Sequence, residues 1–241
     1  MVTAARLRLV APVRDRVTVL AAVGGVADAL AVVSTLRRSG AVLEAAEVFL
    51  DDGMQMVCDH LAVGRPLRQA PAYLLIEWAG AIDLLGGVEL LDAVVADGAG
   101  PRAALWRFRE AHTEAVNALG IPHKLDVTLP LPALASFVED VPGAVAEVAP
   151  SARVVLFGHV ADGNIHINVV GPSADDEAVE DVVFRMVAMR GGSISAEHGI
   201  GIAKKRWLHL VRSDAELAAF RSVKAALDPA GILNPNVLVP E

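Results

Sequence analysis

The sequence has almost no cysteine. Cys58 is the single cysteine among 241 residues, so no disulfide can form within the chain and its core must be stable without covalent cross-links. Small proteins that depend on disulfides occur mainly in oxidising compartments. The composition therefore favours a reducing compartment, and we expect a cytoplasmic protein.

Basic residues are in the minority. The chain has 21 Lys and Arg against 29 Asp and Glu, which gives a formal net charge of -8 at pH 7. A protein that binds nucleic acid needs clustered Lys and Arg to displace counterions from the phosphates. The charge balance argues against a nucleic-acid partner, and an anionic substrate would need a local basic pocket.

Long apolar runs are also lacking. The most apolar early stretch, residues 17–36, is interrupted by Gly24, Gly25 and Asp28, which is more typical of a strand, a turn and a helix than of a membrane span. Charged residues scattered through residues 6–16 disfavour a signal peptide, although secretion stays a minor alternative. We expect no transmembrane segment.

Apolar material is nevertheless plentiful, because hydrophobic residues make up 54% of the chain. Strand-like and helix-like segments follow one another without a repeat, a low-complexity tract or a linker. We predict one continuous domain, residues 1–241, of the α+β class, in which helices pack mainly on one face of an antiparallel β-sheet. The predicted strands are 6–12, 16–23, 42–50, 72–79, 124–129, 153–160 and 165–170. The predicted helices are one ending at Arg38, then 51–61, 82–95, 101–119, 131–148 with a break or kink at Pro142, 175–189 and 214–227.

The segment FGHVADGNIHIN, residues 157–168, contains two strand-like runs joined by Asp-Gly, a dipeptide that favours a tight hairpin. With this pair as the two-residue loop, His159 is predicted directly across the ladder from His166, with Cβ atoms roughly 4.5–5.5 Å apart. Two imidazoles at that spacing could share a divalent metal, and Asn168 would lie on the same face. The alternative is a hydrogen-bonded histidine pair in a half-buried sheet.

A second segment, GGSISAEHGIG at residues 191–201, places Glu197 beside His198 between glycines. Flexible glycines allow a chain to turn so that neighbouring side chains face one site. Glu197 would complete a set of two histidines and one carboxylate, which leaves metal positions open for a chelating substrate. His198 could then act as the acid or base. The alternatives are a simple turn and a surface ion pair.

A third segment, LWRFREAHT at residues 105–113, places Arg109 and Thr113 one helical turn apart. Lys124 begins the next predicted strand, so that a second cation could face the same cavity. Together the three side chains could hold an anion. The alternative is that Arg109 and Lys124 lie on solvated faces, as most Arg and Lys residues do.

The segments HVADGNIH (159–166) and SAEHGIG (195–201) resemble the C-terminal domain of FAD-linked oxidases of the vanillyl-alcohol oxidase superfamily. The segment LDPAGILNP (227–235) resembles the closing segment of the same group, and all three occur in the family's order. The group includes D-2-hydroxyglutarate dehydrogenase, D-lactate dehydrogenase and the glycolate oxidase flavoprotein subunit. The resemblance implies a fold with ferredoxin-like elements.

The resemblance also implies a role for each motif. A divalent metal, expected to be zinc, would be bound by His159, His166 and Glu197, while His198 would take the proton of the substrate hydroxyl. The substrate would contact Arg109, Thr113, Lys124 and Asn168. Asn234, in the closing segment, would contact the flavin.

The implied function is that of the substrate domain of a flavin-dependent D-2-hydroxy-acid dehydrogenase, which oxidises a 2-hydroxyl to a 2-keto acid with FAD as hydride acceptor. The implied partners are a small 2-hydroxy acid, a separate FAD-binding subunit and a second copy of the chain. Any membrane association would be peripheral, through the electron acceptor.

Two departures from the family pattern accompany the resemblance. Asn236 and Val237 follow Asn234-Pro235, where the family usually continues with Gly-Lys. Members also carry an upstream FAD-binding domain, which we expect to be absent from residues 1–241. Two alternatives therefore stay open at this point: a metal-dependent organic-acid-binding protein without redox chemistry, and an inactive fragment.

Overall fold

A computed structural model describes residues 3–9, 16–80 and 88–237. Seven strands and seven α-helices are present in these ranges. The strands are β1 (Arg16–Val23), β2 (Val42–Leu50), β3 (Ala72–Ala79), β4 (Asp92–Ala96), β5 (His123–Thr128), β6 (Arg153–His159) and β7 (Asn164–Val170). The helices are α1 (Val26–Arg38), α2 (Asp51–Leu61), α3 (Ala99–Glu110), α4 (His112–Leu119), α5 (Leu131–Val148), α6 (Ala178–Met189) and α7 (Asp214–Leu227), with a 3₁₀ helix at Lys205–Leu210.

All seven strands form a single sheet in the order β4-β1-β3-β2-β6-β7-β5. Every neighbouring pair in it is antiparallel. The prediction of an α+β fold built on an antiparallel sheet is confirmed. Strands β6, β7 and β5 are neighbours at one end of the sheet, and they carry four of the candidate site residues, His159, His166, Asn168 and Lys124.

The helices cover both faces of the sheet, and this differs from the expectation that they pack mainly on one face. One buried cluster joins the sheet to α1, α5 and α6 through Val32, Phe137 and Val183. A second cluster on the opposite face includes Met54 of α2 and Val116 of α4. The physical reason is that both faces of the central strands are apolar, so β1 and β3 are buried at nearly every position.

Most predicted elements have the predicted bounds, and the main error is residues 82–95. Residues 81–87 lie outside the described residues, and Asp92–Ala96 is edge strand β4 paired with β1 instead of a helix. Short apolar runs do not distinguish strand from helix by their periodicity. The predicted strand at 6–12 is also absent from its described part, residues 6–9, which are exposed and have no regular structure; residues 10–12 are outside the described residues.

The predicted helix 101–119 is divided into α3 and α4 at Ala111, whereas α5 continues as one helix through Pro142. Within the described ranges, no helix combines the length and the apolar character that a bilayer crossing requires. The predicted helix 214–227 is confirmed, and it begins at a capping box: Ser213 Oγ accepts a hydrogen bond from the Glu216 amide, and the Glu216 carboxylate accepts one from the Ser213 amide.

Candidate functional site

The hairpin β6–β7 brings two predicted metal ligands together in a register that differs from the predicted one. His159 pairs with Asn164, and the residue directly across from His166 is Phe157. The loop therefore has four residues, 160–163, instead of two. Because side chains alternate along a strand, a shift of two residues leaves His159 and His166 on the same face. Their ring centroids are 5.3 Å apart.

The longer loop results from contacts outside the hairpin. The amide of Val160 donates to the carbonyl of Ala46 in β2 at 3.0 Å, and Val160 is completely buried. Gly163 has a φ of +81°, and its carbonyl accepts a hydrogen bond from the amide of Leu129 at 3.0 Å. A Cβ at Gly163 would lie 2.1 Å from the Leu129 carbonyl oxygen. Only glycine fits this close approach.

The segment that carries Glu197 and His198 is held against β5 by Asp126. Oδ2 of this buried carboxylate accepts hydrogen bonds from three consecutive amides, those of Ala196 (3.2 Å), Glu197 (2.7 Å) and His198 (2.9 Å). Burial alone would raise the pKa of Asp126, but the neighbouring His166 and the hydrogen bonds from the amides of His198 and Glu197 hold that pKa well below its ordinary value. Asp126 thus fixes the backbone of the Glu-His motif.

The three predicted metal ligands converge. One ligand atom from each of His159, His166 and Glu197 lies within 4.8 Å of the others. Nε2 of His159 is 3.4 Å from Oε1 of Glu197. The side chain of Glu197 is 56% exposed and that of His166 only 15%. A cation at this place would therefore remain accessible from the solvent side.

Both histidines are oriented by buried carboxylates. Nδ1 of His159 donates to Oε1 of Glu47 at 2.7 Å, and Nδ1 of His166 is 3.4 Å from Oδ1 of Asp126. Histidines that bind metals usually donate their second ring N–H to such a partner, which fixes the tautomer and the ring orientation. Nε2 of each ring is left for a ligand. The chemistry of the donor set therefore fits a divalent metal.

A second combination of acidic and histidine side chains overlaps the first one. Asp126, His166 and His198 also place one ligand atom each within 4.8 Å of one another. However, Asp126 is completely buried and already accepts three backbone hydrogen bonds through Oδ2. The first set, with its free Nε2 atoms and exposed Glu197, is the better fit.

Beside these ligands lies a cavity of about 370 Å³. It is lined by Arg109, Thr113, Lys124, Leu125, Phe157, His166, Asn168, Glu197 and His198. Arg109 is in α3 and Thr113 in α4, since the helix divides at Ala111, yet both face the cavity. Nδ2 of Asn168 is buried and has no hydrogen-bond partner among the described residues. An anionic, polar ligand is the chemistry that this lining suits.

Glu47 is part of the site, although the sequence did not predict a role for it. Its carboxylate accepts from His159 through Oε1 and from Nε of Arg109 through Oε2, each at 2.7 Å, and its side chain is 7% exposed. The hydrogen bond that His159 donates to Glu47 raises the pKa of His159 against the opposing effect of burial. An acidic residue beside Val48 and Phe49 in an apolar strand was the available signal, because buried carboxylates need partners.

Two further buried groups lie beneath the site. His112 is sandwiched between the rings of Phe49 and Phe157, at centroid distances of 4.7 and 4.9 Å, and burial lowers its pKa to about 3. Nζ of Lys204 donates to the backbone carbonyl of Asp126 at 3.1 Å, and burial lowers the pKa of Lys204. Neither residue was singled out by sequence as a site residue.

Asn234 lies away from the cavity. It is an exposed residue with a φ of +44° in the turn after α7, and its carbonyl accepts a hydrogen bond from the amide of Val237 at 3.3 Å. It is not among the cavity-lining residues.

Comparison with protein families gives one match over most of the chain. Residues 13–238 match the model described as FAD linked oxidases, C-terminal domain.

Curated relatives are similar over most of this chain but are longer. The mitochondrial D-2-hydroxyglutarate dehydrogenase of Bos taurus is 37% identical over 234 residues, covering 90% of this chain and 42% of the relative. That of Danio rerio is 35% identical, covering 84% and 40% respectively. D-2-hydroxyglutarate dehydrogenase of Xanthomonas citri pv. viticola is 35% identical, covering 88% and 49%. The chain therefore spans two fifths to one half of these proteins.

Solved structures share the fold at low identity. A 4-ethylphenol oxidase from Gulosibacter chungangensis superposes with a TM-score of 0.59 and 16% identity, covering 94% of this chain and 54% of that one. A p-cresol methylhydroxylase superposes with a TM-score of 0.60 and 12% identity, covering 92% and 52%. At these identities the likeness concerns the fold alone.

Proposed function

The chain belongs to the family of FAD linked oxidases, C-terminal domain, and on that premise we propose that it is the substrate domain of a flavin-dependent D-2-hydroxy-acid dehydrogenase. The proposed substrate is a 2-hydroxydicarboxylate of the D-2-hydroxyglutarate class. The names of the relatives support the substrate, although the chain spans only 40–49% of their length.

One observation carries the proposal. The eight side chains that were assigned to the metal, the substrate and the proton come from α3, α4, β5, β6, β7 and the 191–201 segment, yet every one except His159 lines the same cavity. His159 adjoins it through its contact with Glu197. Residues far apart in sequence seldom gather so many polar groups of matching chemistry around one pocket unless they bind a ligand.

The metal belongs to the proposal, with His159, His166 and Glu197 as its ligands and zinc as the expected ion. When bound, it would act as a Lewis acid toward the 2-hydroxyl and the C1 carboxylate of the substrate. The carboxylate-oriented Nδ1 atoms of both histidines and the unpartnered Asn168 amide support a ligand at this place.

The remaining residues bind and orient the acid. Arg109 and Lys124 would form charge-assisted hydrogen bonds with its carboxylates, with Thr113 contributing a hydroxyl donor. A dicarboxylate uses two cations more fully than lactate does. Asn168, whose amide nitrogen needs an acceptor, would donate to a substrate oxygen. Such contacts fix C2 relative to the hydride acceptor.

His198 is the proposed proton acceptor. It lies next to the ligand Glu197, lines the cavity and is exposed, with its ring stacked at 6.1 Å from that of His166. In the proposed reaction the hydroxyl proton passes to His198 while the hydrogen at C2 leaves with its electron pair for the flavin, so that the 2-hydroxy acid becomes a 2-keto acid.

FAD would be held mainly by a domain outside these 241 residues, and the contact of Asn234 with it remains a prediction. The separate FAD-binding subunit, a second copy of the chain, and the cytoplasmic location with peripheral membrane contact also remain predictions. Several relatives are named as mitochondrial, whereas the Xanthomonas protein carries no compartment in its name.

Calorimetry on the chain tests the proposal directly. We expect stoichiometric binding of Zn²⁺, and binding of D-2-hydroxyglutarate that requires the metal and is tighter than that of D-lactate. Co-expression with a flavin-binding domain of the same family should then give dye reduction by the acid. Metal-dependent binding without turnover would favour a non-redox acid-binding protein. Acid binding with the same affinity in the presence and absence of the metal would overturn the proposed site.

A further inference from the structure

The carboxylate of Glu47 contacts both ends of the site, the metal end at His159 and the substrate end at Arg109. Its Oε1 accepts from Nδ1 of His159, a proposed metal ligand, and its Oε2 accepts from Nε of Arg109, a proposed substrate ligand. Both distances are 2.7 Å. Two charge-assisted bonds that use the two oxygens of one group form a rigid bridge between the residues they join.

The fold places Glu47 at this point. Glu47 pairs directly with His159 across the β2–β6 ladder, so that both side chains leave the same face of the sheet. An irregularity in β2 between Leu43 and Ala45 shifts the register just before it. Helix α3 covers the same face and brings Arg109 to the carboxylate from above.

The bridge restricts what each partner can do. With its N–H at Nδ1 donated to Glu47, His159 has its lone pair at Nε2, the nitrogen that lies 3.4 Å from Glu197. Nε of Arg109 donates a hydrogen bond to Glu47, and its guanidinium lies 4.6 Å above the Phe157 ring. The two terminal nitrogens of Arg109 therefore remain for a ligand in the cavity.

We propose that Glu47 is a positioning residue that couples the two ends of this site, so that His159 can bind a divalent cation only in the orientation in which Arg109 can also bind the substrate carboxylate. This inference rests on the proposed function. It gives a role to a residue that is neither a proposed metal ligand nor part of the cavity lining.

The variant Glu47→Gln tests the coupling with little change of shape. Glutamine offers one oxygen and one NH₂, so it can accept from His159 or from Arg109 but meets the other with a donor. One end of the site must then lose its orientation. Zn²⁺ affinity is measured by competition with a chelating dye and D-2-hydroxyglutarate affinity by calorimetry, both on the full 241-residue chain.

The chain offers a matched control in Glu77. Its side chain is 8% exposed, close to the 7% of Glu47, and it also binds an α3 arginine, Arg102, at 3.2 Å, together with the indole N–H of Trp106. Arg102 precedes Arg109 by two helical turns. Glu77 does not line the cavity. Glu77→Gln removes a comparable buried charge without touching the site.

We expect Glu47→Gln to weaken Zn²⁺ binding by roughly 10–100-fold, the range found for partners of metal-binding histidines, and to weaken binding of the acid as well. Glu77→Gln should leave both affinities unchanged. Imidazole ¹⁵N NMR gives a readout that general destabilisation would not produce: the N–H of His159 should be at Nδ1 in the wild type and should redistribute between the two nitrogens in Glu47→Gln.

Glu47→Asp serves as the second variant in case glutamine prevents folding. Aspartate keeps the charge but is one methylene too short to reach both partners. This variant should weaken the same affinities. Equal affinities for the wild type and a folded Glu47 variant, with an unchanged His159 tautomer, would overturn the coupling and leave the proposed function intact. A wild-type chain that binds no divalent metal would overturn both.

Discussion

Asp126 lies directly across the β5–β7 ladder from His166, and its Oδ1 is 3.4 Å from Nδ1 of that histidine while its Oδ2 accepts the three amides of residues 196–198. One buried carboxylate therefore orients a proposed metal ligand on the strand and the backbone of the Glu-His motif in the neighbouring loop. The two functional segments of the sequence meet at this residue.

We predict that Asp126→Asn loosens the Glu-His segment. Asparagine can keep one oxygen toward the three amides but carries no negative charge, which weakens these charge-assisted hydrogen bonds, so the free energy of unfolding should fall by about 1–3 kcal/mol. Hydrogen exchange at the amides of residues 196–198 should accelerate, and Zn²⁺ affinity should fall with it.

Asp228→Asn is the control for that experiment. Asp228 is also buried and accepts the amides of Ile232 (3.1 Å) and Leu233 (2.9 Å), but it does not line the cavity. The Asp228→Asn substitution should loosen residues 232–233 and leave Zn²⁺ binding unchanged. Unchanged exchange at 196–198 in Asp126→Asn would show that the loop is held by other contacts.

His198→Ala should abolish turnover by the reconstituted holoenzyme and leave its metal content intact. General acid–base groups contribute about 10²–10⁴-fold to rates, and His198 is not needed in the preferred ligand set. Turnover is followed by dye reduction and metal content by elemental analysis. Loss of metal would instead support the alternative set of Asp126, His166 and His198.

Lys124→Met should reduce selectivity for dicarboxylates. Lys124 is exposed and lines the cavity, so its replacement should cost little stability. Loss of one charge-assisted bond of about 1.5–3 kcal/mol predicts roughly 10–150-fold weaker binding of D-2-hydroxyglutarate, with a smaller effect on D-lactate. Lys205→Met, which alters a lysine that does not line the cavity, is the control. Equal losses for both acids would contradict the assignment.

Arg109→Ala is a less specific test of substrate binding than Lys124→Met. From the sequence alone, Arg109 is expected only to bind the substrate, so its removal would affect binding far more than folding. In the structure Arg109 is also the partner of the buried Glu47, so its removal leaves a carboxylate without its cation and should destabilise the fold as well.

The buried His112 predicts a dependence of stability on pH. Its pKa is about 3 in the folded state against an ordinary value of 6.5, so only the unfolded chain takes up this proton between those values. The free energy of unfolding should therefore fall by about 1.4 kcal/mol for each pH unit below 6.5, or about 2 kcal/mol between pH 7 and pH 5.

Urea unfolding of the wild type and His112→Phe at pH 5, 6 and 7 isolates this contribution. His123 and His159 have raised pKa values, and their stabilisation is present at low pH and lost as the pH rises, which is the opposite sign. Both remain in the variant, so their effects cancel in the difference. Parallel pH profiles for the two proteins would show that His112 is not held neutral.

The grouping of several candidate site residues could be predicted from the sequence because it depends on the alternation of side chains along strands. His166 and Asn168 were predicted on one face of β7, and Lys124 on a strand facing the same cavity, and these relations hold in the structure. Even an error of two residues in the hairpin register left His159 beside His166, because the period of a strand is two.

The sequence determined which strands and helices form, with the exceptions of β4 and of the predicted strand at 6–12, and which side chains are candidates for binding a metal and an acid. The tertiary structure alone decided the hairpin register, through the bond from Val160 to Ala46. It also decided the burial of both sheet faces by helices and the pairing of His159 with Glu47. The physical reason is that these outcomes depend on contacts between segments about 110 residues apart, as for Glu47 and His159, whereas propensity, capping and alternation act over neighbouring residues.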